Sequence, residues 1–224
     1  MQVWWNVHQS SNLYSYDLKN YPTLLYMTNL DSFLKSLNYT MREGFCAQVP
    51  QQQEELRKLV SNKSVKNVLE IGFNGGHSSE LFLDTNKDVK VVSFDINRHK
   101  AVELGKFFID EVYPERHTLI LGNSLTTVPD YAKNNTTKFD LIFIDGGHEY
   151  VFSKGDLHNC KALAHEKTVV IMDDTQWTPQ LRAPWNDGPN KSWLEARDSG
   201  LIKQIACIDF NDPGRGMSWG NYLF

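Results

Sequence analysis

Two groups of residues in this sequence have the types and spacing to do chemistry. The first is Glu70-Ile71-Gly72-Phe73-Asn74-Gly75-Gly76, a glycine-rich turn between an apolar run and a segment of helical periodicity. Such a turn lets a ligand approach the backbone closely. Asp95 ends the next apolar run, about 20 residues further on, where an acid is placed to bond the ribose hydroxyls of a nucleotide-like cofactor. An ordinary strand-to-helix turn and a capping Asp would account for either feature alone; the combination points to cofactor binding. The second group is acidic. Asp145 follows Phe139–Ile144, and Asp173 and Asp174 follow Val169–Met172. Carboxylates converging on one spot repel unless a cation or a proton sits between them, and hard oxygen ligands suit Mg²⁺ or Ca²⁺. The alternative is that one acid caps a helix and another binds substrate. His148 stands just past Asp145, and an imidazole with an unperturbed pKa of about 6.5 can take a proton from a hydroxyl. A structural histidine bonding its own loop is the plainer reading.

These residues need elements to hold them. Asn67–Ile71, Val89–Phe94, Thr118–Leu121, Phe139–Ile144 and Thr168–Met172 read as buried strands, and Gln51–Val60, His77–Leu83, Arg98–Val112 and Leu157–His165 as helices. Alternation of the two periods is the pattern of a doubly wound parallel sheet. On this reading His158 and His165 share a helix and are structural or surface residues. Ile202–Phe210 and Met217–Phe224 are two further strands. The short Asn211–Gly216 connection pairs them antiparallel, and Ser192–Ser199 is a helix ended by Gly200. Leu30, Phe33, Leu34 and Leu37 have amphipathic spacing, with Asn29 or Asp31 near the helix start.

The cofactor type follows from the turn. A dinucleotide fingerprint wants Gly-x-Gly-x-x-Gly facing a pyrophosphate; here Asn74 takes the second glycine's place and Glu70 precedes the turn. An acid beside the pocket disfavours phosphate and suits S-adenosyl-L-methionine, which has a ribose, an amino group and a sulfonium.

Val68-Leu69-Glu70-Ile71-Gly72-Phe73-Asn74-Gly75-Gly76-His77-Ser78 resembles motif I of the class I S-adenosylmethionine-dependent methyltransferases. It is most similar to the branch with catechol and caffeoyl-CoA O-methyltransferases and cephalosporin-hydroxylase-like small enzymes. The likeness spans residues 47 to 175. It implies an α/β, Rossmann-like doubly wound sheet of seven strands in the order 3-2-1-4-5-7-6, with strand 7 antiparallel. It also implies that Glu70 and Gly72 line the methionine end, with Phe73, Asn74, Gly76, His77 and Ser78 around the turn. Asp95 and Ile96 would take the ribose side. Asn123 and Ser124 would stand near the adenine, where many relatives have an Asp. Pro50 and Gln53 match a segment that touches the cofactor in relatives, and Asp145 borders it. In the catechol-type branch acids at the fourth and fifth strand tips hold a divalent ion beside an Asn. The resemblance thus implies Asp145, Asp173 and Asp174 as metal ligands, with Asp174 in the Asn position. A Lys acts as base where His148 stands, so Asp145 and His148 are the catalytic candidates.

Composition bounds the rest. With 23 Lys plus Arg against 27 Asp plus Glu the formal charge is −4, which argues against wrapping nucleic acid. No apolar run nears the length of a membrane span. The start lacks a basic, then apolar leader, and three scattered cysteines give no disulfide framework, so a cytoplasmic protein is expected. Residues 1–45, with Trp4, Trp5, Tyr14, Tyr16, Tyr21 and Tyr26, are read as an aromatic arm or lid packed on a methyltransferase domain at 46–224. Residues 175–192 are read as a loop-rich substrate insertion. In it Trp177 and Trp185, with Trp193 just beyond, either wall a flat or sugar-like acceptor or simply pack the loop. Arg182, Lys191 and Arg215 are candidates for an anionic substituent. The expected activity is O-methylation of a small-molecule hydroxyl, and the aromatic arm is compatible with a homodimer. The rivals are a Rossmann enzyme using NAD or a nucleotide-sugar, and a non-catalytic S-adenosylmethionine-binding module.

Overall fold

Strands that are apolar on both faces need cover on both faces, which helices supply around a parallel sheet. The computed structural model, which describes residues 29–41 and 45–224, has that arrangement. Its strands are β1 Asn67–Ile71, β2 Lys90–Asp95, β3 His117–Leu121, β4 Phe139–Ile144, β5 Ala164–Asp173, β6 Ile202–Asp212 and β7 Arg215–Tyr222. They form one sheet in the order β3-β2-β1-β4-β5-β7-β6. The first five pair parallel, and β7 lies antiparallel between β5 and β6. The helices are α1 Leu30–Ser36, α2 Pro50–Val60, α3 His77–Thr85, α4 Lys100–Val112, α5 Ser124–Asn134, α6 Tyr150–Cys160 and α7 Asp187–Asp198.

Alternate residues of the strands feed two cores. Val68, Val91, Leu141, Phe143 and Ile171 pack with residues of α1 to α4. Leu69, Ile71, Ile142, Val170 and Met172 pack on the other face with residues of α5, α6 and α7. The period of two in each strand is therefore visible as a change of core. No helix among the described residues is long and apolar enough to cross a membrane.

Three sequence expectations shift. The helix expected over Leu157–His165 starts at Tyr150 and ends at Cys160, and β5 begins at Ala164. His165 is consequently in a strand, where its Nε2 lies 3.0 Å from Asp140 Oδ1; His158 remains on the helix. α5 had no counterpart in the sequence reading because Pro129 interrupts it. There Asn123 caps the helix by accepting from Leu125 N. α7 starts at Asp187, earlier than expected, because Pro189 falls in the first turn, where no intrahelical N–H bond is lost.

The residues named in the aromatic arm, Trp4 to Tyr26, lie outside the described residues. What is described just beyond them is α1, capped by Asn29 and docked on α4, with Phe33 stacked on Phe108 at 5.4 Å between ring centroids. Glu80 of α3 also receives the Leu30 N–H at 2.8 Å. Burial pushes the Glu80 carboxyl up to about 7. Because the folded value is raised, the carboxyl's contribution to stability is present in full below its ordinary 4.5 and is lost as pH rises through about 7. Glu80→Gln keeps an oxygen for Leu30 and removes the titrating charge. It is therefore expected to raise the thermal midpoint at pH 8 and to raise it much less at pH 5, measured by calorimetric melts at both pH values.

Candidate active site

The turn after β1 depends on glycine for room. Gly72 has φ +93°, and a Cβ there would lie 1.9 Å from the Asp145 carbonyl oxygen, so the turn backbone runs directly against the tip of β4. Gly105 of α4 does the same against Gly75, whose carbonyl oxygen is 1.9 Å from the place of a Cβ. Asn74 sits at φ 48° and its N–H donates to Asp95 Oδ2 at 2.8 Å. Asp95 Oδ1 accepts from Asn97 N at 2.6 Å. Both oxygens are thereby fixed, and each retains a lone pair toward the cavity in front of them.

That cavity measures about 890 Å³ and runs across the carboxyl ends of the strands, the place where open α/β sheets bind ligands. Gly72, Asn74, Asp95, Ile96, Asn123 and Ser124 line one part, and Asp145, His148, Asp174, Trp185, Lys191 and Arg215 line another. These include most of the residues singled out from sequence on both the cofactor and the catalytic side.

Several others do not line it. Glu70 is fully buried beneath the turn. It accepts from the hydroxyls of Ser78, of Ser79 at 2.6 Å and of Ser93 at 2.5 Å. His117 Nε2 lies 2.9 Å from Ser93 Oγ, which extends the cluster. Burial raises the Glu70 carboxyl, against the lowering effect of its serine partners. Glu70 thus ties β1 to β2 and to the first turn of α3. The acids that line the cavity are Asp95, Asp145, Glu149, Asp174 and Asp187 instead. Phe73 is buried under Gly76 and stacks toward His117. His77 opens α3, as its place in the sequence suggests, but turns away from the cavity to Asp31 at 3.1 Å and to the Phe45 ring. Gln53 is half-buried and away from the cavity; its neighbour Gln52 is the residue that reaches the strand tips, donating to Asp173 Oδ2 at 2.6 Å.

The acidic group is arranged differently from the expected oxygen triad. Asp145, His148 and Asp174 each bring one ligand-capable atom within 4.8 Å of the others, and Asp173 is not in that set. Asp174, at φ 55°, spends one oxygen on an imidazole and the other on a guanidinium: Oδ2 lies 2.9 Å from His148 Nε2 and Oδ1 3.4 Å from Arg215 Nη1. The hydrogen bond that His148 donates to Asp174 holds the imidazole above its ordinary value. Burial and the two neighbouring carboxylates push Asp145 well up, and burial with Asp174 raises Asp173. Of the three acids expected to bind Mg²⁺, Asp145 and Asp174 come together and Asp173 stands apart with Gln52. The set that converges includes an imidazole, a poor partner for Mg²⁺.

The three tryptophans divide. Trp193 is 1% exposed and donates to Gln204 Oε1 at 2.8 Å, and Trp177 donates to Ser218 Oγ at 3.0 Å, so both pack the fold. Trp185, 40% exposed, lines the cavity with its ring centroid 5.2 Å from that of His148. Arg182 is turned to the Gln176 carbonyl, outside the cavity lining. Sequence reasoning did not foresee Gln52 or Asp156. The latter is buried near Gly146, with its carboxyl pushed up to about 6 by desolvation; neither residue lies in a motif.

Residues 69–175 match a family model described as a methyltransferase domain. That match, the sheet order and the glycine turn make the chain similar to the class I, Rossmann-like methyltransferases, whose fold it has. Within that class the solved structures it resembles include O-methyltransferases. One, from Bacillus cereus with S-adenosylhomocysteine bound, is 18% identical with a TM-score of 0.69, covering 87% of this chain and 90% of that one. Another is TomG from Streptomyces achromogenes, an O-methyltransferase of tomaymycin synthesis solved with S-adenosylmethionine, at 17% identity and TM-score 0.67, covering 97% and 95%. A TDP-rhamnose 3′-O-methyltransferase of calicheamicin biosynthesis aligns at 17% identity and TM-score 0.56, covering 89% of each chain. No curated protein sequence matches the chain.

Removing the Glu70 carboxylate would leave three serine hydroxyls without their acceptor in a buried site. Glu70→Ala is expected to cost about 3 kcal/mol of stability, on a penalty of ~1–3 kcal/mol per unsatisfied buried group. Glu70→Gln, which keeps one acceptor oxygen, should cost less. Urea unfolding of the two variants measures both.

Proposed function

We propose that this protein transfers the methyl group of S-adenosylmethionine to a hydroxyl of a small molecule, with His148 as the base. The observation that carries the reading is a single cavity joining the Asp95 end to the His148–Asp174 pair. The O-methyltransferase neighbours support oxygen as the acceptor atom. When bound, S-adenosylmethionine supplies an electrophilic methyl group on its sulfonium.

The residues of the chain supply positioning and a proton acceptor. Asp95, braced by the Asn74 and Asn97 N–H groups, would take the ribose hydroxyls, and Asn123 with Ser124 would border the adenine. Gly72, without a side chain, would let the donor lie against the turn. The acceptor would enter on the Trp185 side, so that its hydroxyl meets His148. With Nε2–H donated to Asp174, the lone pair of His148 resides on Nδ1, and Nδ1 is the atom that receives the hydroxyl proton. Asp174 then stabilises the resulting imidazolium, and methyl transfer itself needs alignment of the two reactants. This reading uses no divalent metal, because Asp174 is already paired with His148 and Arg215 and Asp173 with Gln52.

Calorimetric titration of S-adenosylhomocysteine tests the cofactor half. Wild type should bind it and ignore NAD⁺, and Asp95→Ala should weaken binding at least ~10-fold, about 1.4 kcal/mol. Binding of NAD⁺ alone would favour the dinucleotide alternative. Release of S-adenosylhomocysteine across a panel of phenolic and sugar acceptors tests the transfer half. His148→Ala should lower turnover by about 10²- to 10⁴-fold with S-adenosylhomocysteine affinity preserved. A chain that binds the cofactor and turns over no acceptor would be the non-catalytic module.

The pH dependence has a defined sign. The base must be neutral, and Asp174 raises the His148 value above 6.5. Activity should therefore fall as pH drops through a midpoint above 6.5, and Asp174→Asn should move that midpoint downward in a kcat/KM profile.

A further inference from the structure

Arg215 is where the chain departs from a metal-centred site. It is the first residue of β7, directly after a hairpin turn whose Gly214 has φ +78°. β7 is antiparallel to its neighbour β5, and Asp173, the last residue of β5, pairs with Met217. The start of β7 therefore comes to the strand tips at which the parallel strands end, and it delivers a cation among their acids. The placement is rigid. A Cβ on Gly214 would lie 2.1 Å from Trp185, so the indole sits directly on the turn, and the guanidinium carbon of Arg215 is 5.9 Å from that ring's centroid. The Arg215 carbonyl accepts from Gln176 Nε2 at 3.2 Å. The side chain is 18% exposed and reaches Asp174 Oδ1 at 3.4 Å, opposite the oxygen that faces His148.

Resting on the methyltransferase reading above, we propose that Arg215 does the electrostatic work of a divalent cation at these strand tips. It compensates the acids, fixes Asp174 against His148 and makes proton removal from the acceptor independent of metal. Three observations converge on it. Asp174 has one oxygen on the His148 imidazole and the other on the Arg215 guanidinium. Asp173 is withdrawn to Gln52. Arg215 itself borders the cavity. A guanidinium stays charged throughout the working pH range, so the compensation is permanent, and a metal ion brought to Asp174 would meet a like charge. Arg215 is thus a positioning residue, acting on the reaction through Asp174 and His148.

The test is a Mn²⁺ titration followed by electron paramagnetic resonance on wild type, Arg215→Ala and Arg215→Lys, with S-adenosylhomocysteine calorimetry on each. Wild type should leave the signal of free Mn²⁺ unchanged. Arg215→Ala should gain a site for one ion, at least ~10-fold tighter than wild type, lost again when Asp174→Asn is added. Arg215→Lys keeps the charge and should exclude Mn²⁺ as wild type does. Stoichiometric Mn²⁺ binding by wild type that Asp174→Asn abolishes would overturn the proposal, and so would an Arg215→Ala protein that binds S-adenosylhomocysteine normally but gains no ion. The wild-type titration decides without any variant if Arg215→Ala does not fold. Failure of wild type to bind S-adenosylhomocysteine would instead count against the methyltransferase reading, and the Mn²⁺ result would still report on Arg215.

Discussion

Charge at the ends of parallel strands is the constraint around which this molecule is built. β4 and β5 run side by side in the same direction, so Asp145, Asp173 and Asp174 emerge at one end of the sheet. Three carboxylates in one place, two of them buried, are untenable without compensation. The chain resolves this by giving them different partners. Gln52 takes Asp173, His148 and Arg215 take Asp174, and Asp145 is held toward its neutral form by its acidic neighbours and burial. The same arrangement that makes the acids tolerable gives His148 an orienting carboxylate.

The other half of the cavity is governed by close approach of backbones. The turn after β1 touches the β4 tip at Gly72 and the α4 helix at Gly75, where Gly105 leaves room for it. Beneath it, Glu70 and three serines lock β1, β2 and α3 together. A carboxylate buried this deeply is stabilised only by such hydrogen bonds, so the turn is as rigid as the cluster under it. Rigidity here serves binding, because a preorganised turn has less freedom to lose when a ligand arrives.

The contrast between legible and hidden features follows from range. Gly72, Asp95, Asp145 and His148 were recognisable because each stands at a fixed short distance from a strand end, and a local motif carries that information. The sheet order was accessible through the resemblance and the two-period pattern. α5 was hidden by Pro129, and the early start of α7 by Pro189, since a proline signals a break unless its place in the helix is known. Glu70 lies in the glycine motif, yet its side chain points to serines that are apart from it in sequence, and nothing in the motif encodes that direction. His77 was misdirected for the same reason: its partners, Asp31 and Phe45, come from a distant stretch of chain.

By itself the sequence determined the parallel α/β sheet, the glycine turn, the acid after β2 and the gathering of acids at the strand tips, because hydrophobic period and strand-end position are local properties. Only the tertiary structure decided which partner each acid has. Gln52 comes from a helix that precedes the sheet, and Arg215 from an antiparallel strand at the far end of the chain. Their meeting at Asp173 and Asp174 is produced by sheet order and strand direction, and Coulomb attraction acts on distance in space, not on separation along the chain.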